Sequence, residues 1–526
     1  MYECPNCGGN LKFEISSQKL YCAYCDTRLD PYAVTRETDA LEGGLYETNA
    51  FICPQCGGQM LSGDNDATAF CSYCGAANIL SSRIVREKRP KYIIPFQKTK
   101  EDCKKAYAKK MRKAFFVPKE YKDAAFIDGF RGIYMPYWNY RFSQQGELSL
   151  DGKIQESKGD YIYTSYYKLR GELDAVYEGC PFDASSGFYD NISQALAPFD
   201  AAGEVDFTPS YLSGFYAEVA DVEADVYAAE ARILVNENTY EAIKEEKTFR
   251  KYEVQEHCSD AKLTEFLHTK SEGEDSVLYP VWFMSYRNDD RVAYAVVNGQ
   301  TGKVVADMPL DVKKYLLTSL ALAVPVFFLL NLFLTLRPIV LITVCAVLQM
   351  IVSLIYYSEL GEISRRETFA DDKAVLIKTK KRRSKKPLKK DNSTNEDNAL
   401  AGGIILILFV SVILSFCVGL KTEWLGILYM GVLLGISVLI FVQGRKKYRK
   451  LKDLRGGFGL VSAVVTTAVG LVLHLWKPVS DLWYYGGVWL ILLSVIFLIT
   501  DVIRNYNRLA MRKLPQFEKK GGDDNA

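Results

Sequence analysis

The chain has 526 residues, 49% apolar and 24% charged, with a net charge of +2. Such averages fit a soluble protein, but 315–503 holds six stretches of 18 to 22 residues without Asp, Glu, Lys or Arg, which excludes a purely soluble chain. The small net charge also conceals local blocks of both signs, and thirteen cysteines need an account of their own.

The first residues, MYECPNCGGN, lack the basic flank and apolar core of a secretion signal, so the region before the spans is expected to stay in the cytoplasm. Cys4, Cys7, Cys22 and Cys25 form two C-x2-C pairs with fourteen residues between them, and Cys53, Cys56, Cys71 and Cys74 repeat the arrangement 49 positions later. The flanks repeat too, CPNCGG against CPQCGG and CAYC against CSYC, which marks an internal duplication. Four thiolates suit a tetrahedral zinc, and C-x2-C supplies two ligands from one tight knuckle. The glycines after Cys7 and Cys56 allow the backbone angles such a turn needs. With short alternating strands such as LKFEI at 11–15 between the knuckles, the sequence predicts two zinc ribbons, 1–40 and 41–82, each holding one structural Zn(II). Disulfides are disfavoured in a reducing cytoplasm, and neither ribbon has the βαβ pattern of a thioredoxin-like site. Cys103, Cys180, Cys258, Cys345 and Cys417 lack partners at ligand spacing and read as buried apolar side chains.

Residues 1–80 carry four Lys/Arg against ten Asp/Glu, and each Cys4 zinc centre adds about two negative charges. That surface should repel nucleic acid, so the ribbons read as protein-docking or self-packing modules. Between Arg83 and Lys113 the balance reverses, with thirteen Lys/Arg and three acids. Within this basic linker, 83–114, a helix is predicted after Thr99, with Glu101 and Asp102 in its first turn. Cys103, Ala106, Tyr107, Met111 and Ala114 make its apolar stripe, and its lysines form a solvated face or meet anionic lipid heads.

Residues 115–312 are rich in tyrosine and phenylalanine and alternate like strands, as in YIYTSYY at 161–167. VAYAVVNGQTGKVVA at 292–306 is a predicted hairpin, with turn residues Asn298, Gly299, Thr301 and Gly302. Two related strings, GIYMPYWNYRF at 132–142 and VLYPVWFMSYR at 277–287, suggest two similar β-rich halves, with helical patterns at 212–235 and 259–268. Trp138 and Trp282, with Pro136 and Pro280, read as core anchors. An α+β cytoplasmic domain is the expectation.

The ordered motifs IIPF at 93–96, VPKEY at 117–121, GIYMPYW at 132–138, PFD at 198–200, PSYLSGFYAE at 209–218, and LYPVWFMSYR with YAVVNGQTGKV within 278–304 resemble those of a family of bacterial multi-span membrane proteins with N-terminal zinc ribbons of the TFIIB type. The resemblance covers roughly residues 1–310. It implies a membrane anchor or scaffold, and relatives that occur beside phage-shock-type and band-7 (flotillin-like) proteins imply partners of those kinds. It brings no catalytic residues. The tandem ribbon and six spans depart from shorter members.

The spans are expected at about 315–336, 338–357, 399–420, 424–443, 459–476 and 482–503. The first two fall in 313–358, a basic loop covers 359–398, four more spans lie in 399–503, and a tail follows over 504–526. Twelve Lys/Arg lie in 358–398, including KTKKRRSKKPLKK, seven in 444–456 and six after 503, whereas the alternate loops around Arg337, Lys421 and Lys477 carry one each. The positive-inside rule then makes this a multi-pass inner-membrane protein with both termini in the cytoplasm. A re-entrant hairpin over 315–357, with Pro325 inside it and almost no loop at Arg337, preserves the same topology. The 371–398 stretch has the composition of a disordered segment and of an anionic-lipid contact.

The three histidines, His257, His268 and His474, belong to no HExxH motif, and neither G-x-S-x-G nor a Walker loop occurs, so no enzyme is expected. The spans offer only Asn331, Gln349, scattered Ser and Thr, and His474, which fits anchoring better than transport. Gly402, Gly403, Gly426, Gly431, Gly435, Gly459 and Gly470 fit close helix packing, and Trp424, Trp476, Trp483, Tyr484 and Tyr485 an interfacial belt. The expectation is therefore a multidomain membrane protein: two β zinc ribbons, an α+β cytoplasmic domain and an all-α six-helix region. It would act as a scaffold or adaptor for cytoplasmic or membrane proteins, in membrane stress or remodelling. The alternative is a transporter or channel component regulated by its zinc-ribbon domain.

Overall fold

The structure is a computed structural model that describes residues 2–34, 44–62, 71, 73–74, 81–123, 129–254, 260–288, 291–333, 337–367, 373, 423–450 and 457–513. In the first cysteine repeat, β1 (Leu11–Glu14), β2 (Lys19–Cys22) and β3 (Arg28–Leu29) form a small antiparallel sheet of their own. In the second, β4 (Leu45–Ile52), β5 (Gln59–Ser62) and β6 (Ser81–Lys88) belong to a 13-stranded sheet. Residues 83–88, read from the sequence as linker, are therefore strand, paired along β4 from Arg83 opposite Ala50 to Lys88 opposite Leu45. Local charge suggested a linker, but the partner strand decides the conformation.

The same sheet takes in β7 (Tyr92–Ile93), β8 (Arg131–Lys158), β9 (Tyr161–Asp183), β10 (Val205–Asp206), β11 (Tyr216–Glu218), β12 (Glu253–Val254), β13 (Thr269–Asn288), β14 (Arg291–Asn298), β15 (Val304–Ala306) and β16 (Arg512–Lys513). β8 and β13 form its antiparallel centre and contain the two related strings. These strings are neighbouring strands of one sheet and not the cores of two halves: Pro136 faces Leu278 and Pro280 faces Tyr134. Proline removes a ladder donor and is costly inside a sheet. Here Pro136 sits where β11 gives way to β9 on the flank of β8, and Pro280 where β14 ends. Their carbonyls still accept, from Ala184 N–H and Gly299 N–H, both at 2.8 Å. The predicted hairpin is present as β14 and β15, with Gly302 at φ +80° in its turn.

Among the described residues four helices accompany the sheet: α1 (Lys100–Lys113), α2 (Asp190–Leu196), α3 (Ala228–Glu245) and α4 (Asp260–Phe266). The expected start of α1 is a reciprocal cap, in which Asp102 N–H donates to Thr99 Oγ1 and Thr99 N–H to Asp102 Oδ2. Cys103, Tyr107 and Met111 are its buried stripe. The helix expected over 212–235 begins only at Ala228. Ahead of it, Pro209–Leu212 is a single tight turn, Gly214 takes φ +90°, and Tyr216–Glu218 is β11. The aromatic residues of that segment are held by long-range packing that a helical period does not reveal.

That packing is an aromatic cluster. Phe96 stacks on Phe215 with centroids 4.5 Å apart and planes 14° apart, and Tyr134 and Trp282 lie 5.0 and 5.1 Å from Phe96. Trp282 Nε1 donates to the Lys98 carbonyl at 2.8 Å. Two glycines make room for the rings: a Cβ on Gly132 would come within 2.5 Å of Phe215, and one on Gly299 within 2.7 Å of Phe96. Five of the sequence motifs thus meet at one point.

In the C-terminal part, α5 (Val312–Phe333), α6 (Pro338–Glu367), α7 (Glu423–Lys450), α8 (Phe458–Trp476) and α9 (Asp481–Ala510) are long and apolar enough to cross a membrane. Of the six spans expected, that at 399–420 lies outside the described residues, as does nearly all of the 371–398 stretch. α6 continues ten residues beyond its expected end at 357. Ile342, Met350, Met430, Leu433, Leu460, Ile491 and Leu498 form the core of a bundle of α6 to α9, while α5 leaves Leu317, Leu320, Phe327 and Leu332 exposed. The stretch after 503, read as a tail, stays helical to Ala510 and then adds β16 to the sheet, Arg512 opposite Val292.

Replacing Phe215 with alanine should destabilise the full chain by about 3–5 kcal/mol. It would be read as a lower thermal unfolding midpoint in detergent, accompanied by faster proteolysis of the first cysteine repeat.

Candidate functional site

Each cysteine repeat gathers its four thiols at one point, with all ligand atoms of a set within 4.8 Å of one another. In the first cluster the Sγ separations are 3.5 Å for Cys4 to Cys25 and 3.5 Å for Cys7 to Cys22. In the second they are 3.8 Å for Cys53 to Cys74 and 3.7 Å for Cys56 to Cys71. A disulfide would need roughly 2.05 Å, whereas tetrahedral ligands about 2.3 Å from a metal stand about 3.8 Å apart. All eight predicted ligands are therefore brought together, four and four, in an arrangement that fits a four-coordinate ion.

The knuckles repeat down to single hydrogen bonds. Gly8 N–H donates to the Cys4 carbonyl and Gly57 N–H to that of Cys53, both at 2.8 Å, with Gly8 at φ +71° and Gly57 at φ +76°. Side chains with Cβ rarely adopt such angles, which is why glycine follows the second cysteine of each pair. Gly58 N–H also points at Cys56 Sγ, 3.4 Å away. In the first cluster Thr27 Oγ1 lies 3.1 Å from Cys25 Sγ and accepts from Asn6 Nδ2. Hydrogen bonds from the Thr27 hydroxyl and then its backbone bring the Cys25 thiol down to about 6. Such outer contacts orient a ligand and favour its thiolate. Thr27 was not singled out in the sequence, where a threonine two residues after a cysteine carries no distinct signal.

The two clusters differ in exposure. Cys7 and Cys25 are exposed, while all four cysteines of the second cluster are buried. Tyr73, between Cys71 and Cys74, packs 6.1 Å from Phe283, and its carbonyl accepts from Tyr294 Oη at 2.9 Å. The first repeat attaches through its strands: Phe13 lies 5.2 Å from Tyr211, Phe13 N–H donates to the Ser213 carbonyl at 3.0 Å, and Gln18 Nε2 to that of Phe96 at 2.8 Å. Of the remaining cysteines, Cys103, Cys180 and Cys345 are buried as expected, and Cys258 and Cys417 lie outside the described residues.

Between the spans, the polar residues noted in the sequence converge with others. Gln349 Nε2 donates to the Ala463 carbonyl at 2.8 Å and to Thr467 Oγ1 at 3.2 Å, and its Oε1 accepts from Thr466 at 3.0 Å. His474 Nδ1 is 2.9 Å from the Gly470 carbonyl, which can only accept, so that nitrogen carries the proton and Nε2 faces Thr343 Oγ1 at 3.2 Å. Asp501 was overlooked, although it is a lone carboxylate inside the 482–503 segment. It is buried and accepts from Gly459 N–H at 3.1 Å, capping the start of α8. Gly459 and Gly470 are in tight contact with neighbouring helices, whereas Gly431 and Gly435 have no neighbour near their Cβ positions among the described residues.

No protein-family profile matches the chain, and no solved structure matches it. A Bacillus subtilis (strain 168) protein, described as uncharacterized protein YdjG, is 32% identical over 314 residues, which is 59% of this chain and 90% of the relative. The chain belongs to the family of YdjG. Membership in the YdjG family establishes common descent and transfers no activity.

Replacing Gln349 with leucine should cost about 1–2 kcal/mol, because Thr466 and Thr467 lose their partner between apposed helices. The check is a lowered thermal midpoint in detergent that is absent when Thr466 and Thr467 are both changed to valine alongside it.

Proposed function

We propose that this chain is a membrane-anchored, zinc-binding scaffold whose rigid cytoplasmic platform recruits protein partners. The observation that carries the reading is the joint between sheet and spans. β16 pairs with β14, Asn507 exchanges hydrogen bonds with both backbone groups of Leu310 at 2.6 and 2.8 Å, Arg366 donates to the Leu509 carbonyl at 2.6 Å, and Arg291 to those of Arg508 and Met511 at 2.7 and 2.6 Å. A platform held this way keeps a fixed attitude to the bilayer, as a docking surface requires. The polar groups of Gln349, Thr466, Thr467 and His474 are spent on one another or on backbone carbonyls, which supports anchoring over conduction, and the reading assigns no catalytic residue.

Zn(II) is the metal of the reading, since four cysteines without histidine or carboxylate make a closed structural site. Six crossings with both termini in the cytoplasm belong to the same reading, and the helix ends support it. Leu360, near the end of α6, lies against Gly444 late in α7, and Gly426 at the start of α7 lies against His474 at the end of α8. The chain therefore leaves α6 on the sheet side and enters α7 on the far side, which supports the further span read from the sequence at 399–420. The Lys/Arg-rich segments 358–398, 444–456 and 504–526 then share one side, in contact with anionic head groups of the inner membrane. Partners of the phage-shock or band-7 kind, and a role in membrane stress or remodelling, rest on the motif resemblance alone.

Metal analysis of the purified full chain should give two zinc ions per chain, and one after Cys7→Ser with Cys25→Ser; recovery of iron, or of less than one ion from the native chain, would refute the assignment. For docking, the exposed knuckle of the first cluster presents Tyr24, 81% exposed. Truncation ahead of residue 83 would tear β4 and β5 from the sheet, so Tyr24→Ser is the cleaner probe. Crosslinking capture from intact membranes should lose specific partners in that variant while metal content is kept, and an unchanged partner set would sink the docking role of the ribbon.

A further inference from the structure

Among the described residues β9 pairs with β8 alone, and from Tyr161 to Glu178 its backbone bonds to no other strand or loop backbone. The two strands run out from the sheet as a ribbon, closed by a two-residue turn in which Gly159 takes φ +64° and Lys158 faces Tyr161. In such a turn the closing pair is hydrogen-bonded. Odd-numbered residues of β9 therefore bond β8, and the even-numbered ones from Ile162 to Val176 direct N–H and C=O outward, because the register stays unbroken over that length. The side chains of these even-numbered residues also share one face, where Tyr166, Lys168, Arg170, Glu172, Asp174 and Val176 are all exposed. Tyr166 is 81% exposed and Val176 61%. A long, free edge of this kind is a template for another strand.

The sequence along that edge is Lys168, Leu169, Arg170, Gly171, Glu172, Leu173, Asp174, which reads the same in both directions once charge is inverted. Neither Lys168, Arg170 nor Glu172 has an ion-pair partner among the described residues, and Asp174 accepts only from Gln145 Nε2, at 2.9 Å.

We propose that β9 is a homodimerisation strand, pairing antiparallel with β9 of a second copy about a two-fold axis at Gly171. Arg170 then faces the partner's Glu172, Lys168 faces the partner's Asp174, Leu169 faces the partner's Leu173, and Tyr166 faces the partner's Val176. Two-fold symmetry makes each contact twice. Residues that face each other are all even or all odd, so the outward N–H and C=O groups find one another. A slip of one residue breaks that match, and a slip of two in either direction sets Arg170 on Arg170 or Glu172 on Glu172. Opposite charges directly across a strand pair stabilise it and like charges oppose it. The occupant of the edge is thus a second copy of this chain, specified by charge and register, and the inference is independent of the scaffold reading.

The test is the mass of the full chain in detergent micelles, by light scattering or mass photometry. The native chain should be a dimer. Arg170→Glu alone and Glu172→Arg alone should each weaken dimerisation at least tenfold, and the double variant, which restores opposite charges at the same register, should recover it. The recovery separates a lost interface from a misfolded ribbon. A monomeric native chain, a dimer indifferent to both single reversals, or a double variant that stays monomeric would each overturn the proposal.

Discussion

The stack of Phe96 on Phe215 is the contact on which the sheet-rich body depends. It joins segments 119 positions apart and is walled by Tyr134 and Trp282 from the two central strands. Aromatic pairs add roughly 0.5–1.5 kcal/mol beyond the area they bury, and this cluster has several. Its geometry explains neighbours that have no chemistry of their own. Gly132 and Gly299 are glycines because a methyl group would occupy ring positions, and the 209–218 segment forgoes a helix while Tyr211 and Phe215 both pack on Phe13 of the first cysteine repeat and Phe215 also stacks on Phe96.

One duplicated cysteine motif has met two different ends. The first knuckle of each copy makes the same hydrogen bonds, yet the first copy rides on the surface with its own three strands while the second is built into the main sheet. The cause is the sequence around the knuckles. β4 is long and alternates, burying Tyr46, Thr48 and Ala50 on one face, and β5 offers its edge to β11, where Ala217 pairs with Leu61. The first copy has no strand of that length and instead inserts Phe13 among the aromatic rings. The buried cluster contributes to the sheet from within, and the exposed one keeps two ligands and Tyr24 facing outward.

Local chemistry was legible in the sequence. The two clusters of four cysteines, the glycine knuckles, the cap at Thr99, the 292–306 hairpin and the apolar helices among the described residues all follow from local patterns. What escaped depends on distant partners. The strand at 83–88 exists because β4 is beside it, the related strings at 132–142 and 277–287 turn out to face each other, and the helix pattern beginning at 212 yields to tertiary aromatic contacts. Asp501 is the exception, since a lone carboxylate within an apolar run was visible and its role as a cap for α8 needed only the helix beside it.

The account holds that the cysteine clusters and the sheet are one folded body. Hydrogen–deuterium exchange on the full chain in detergent, native against metal-stripped, tests this most directly. Loss of metal should raise exchange in β4, β5, β11 and β14 together with the knuckles, spreading through the Tyr73 and Phe13 contacts. A rise confined to residues 4–8, 22–27, 53–58 and 71–74, with the strands unaltered, would contradict it.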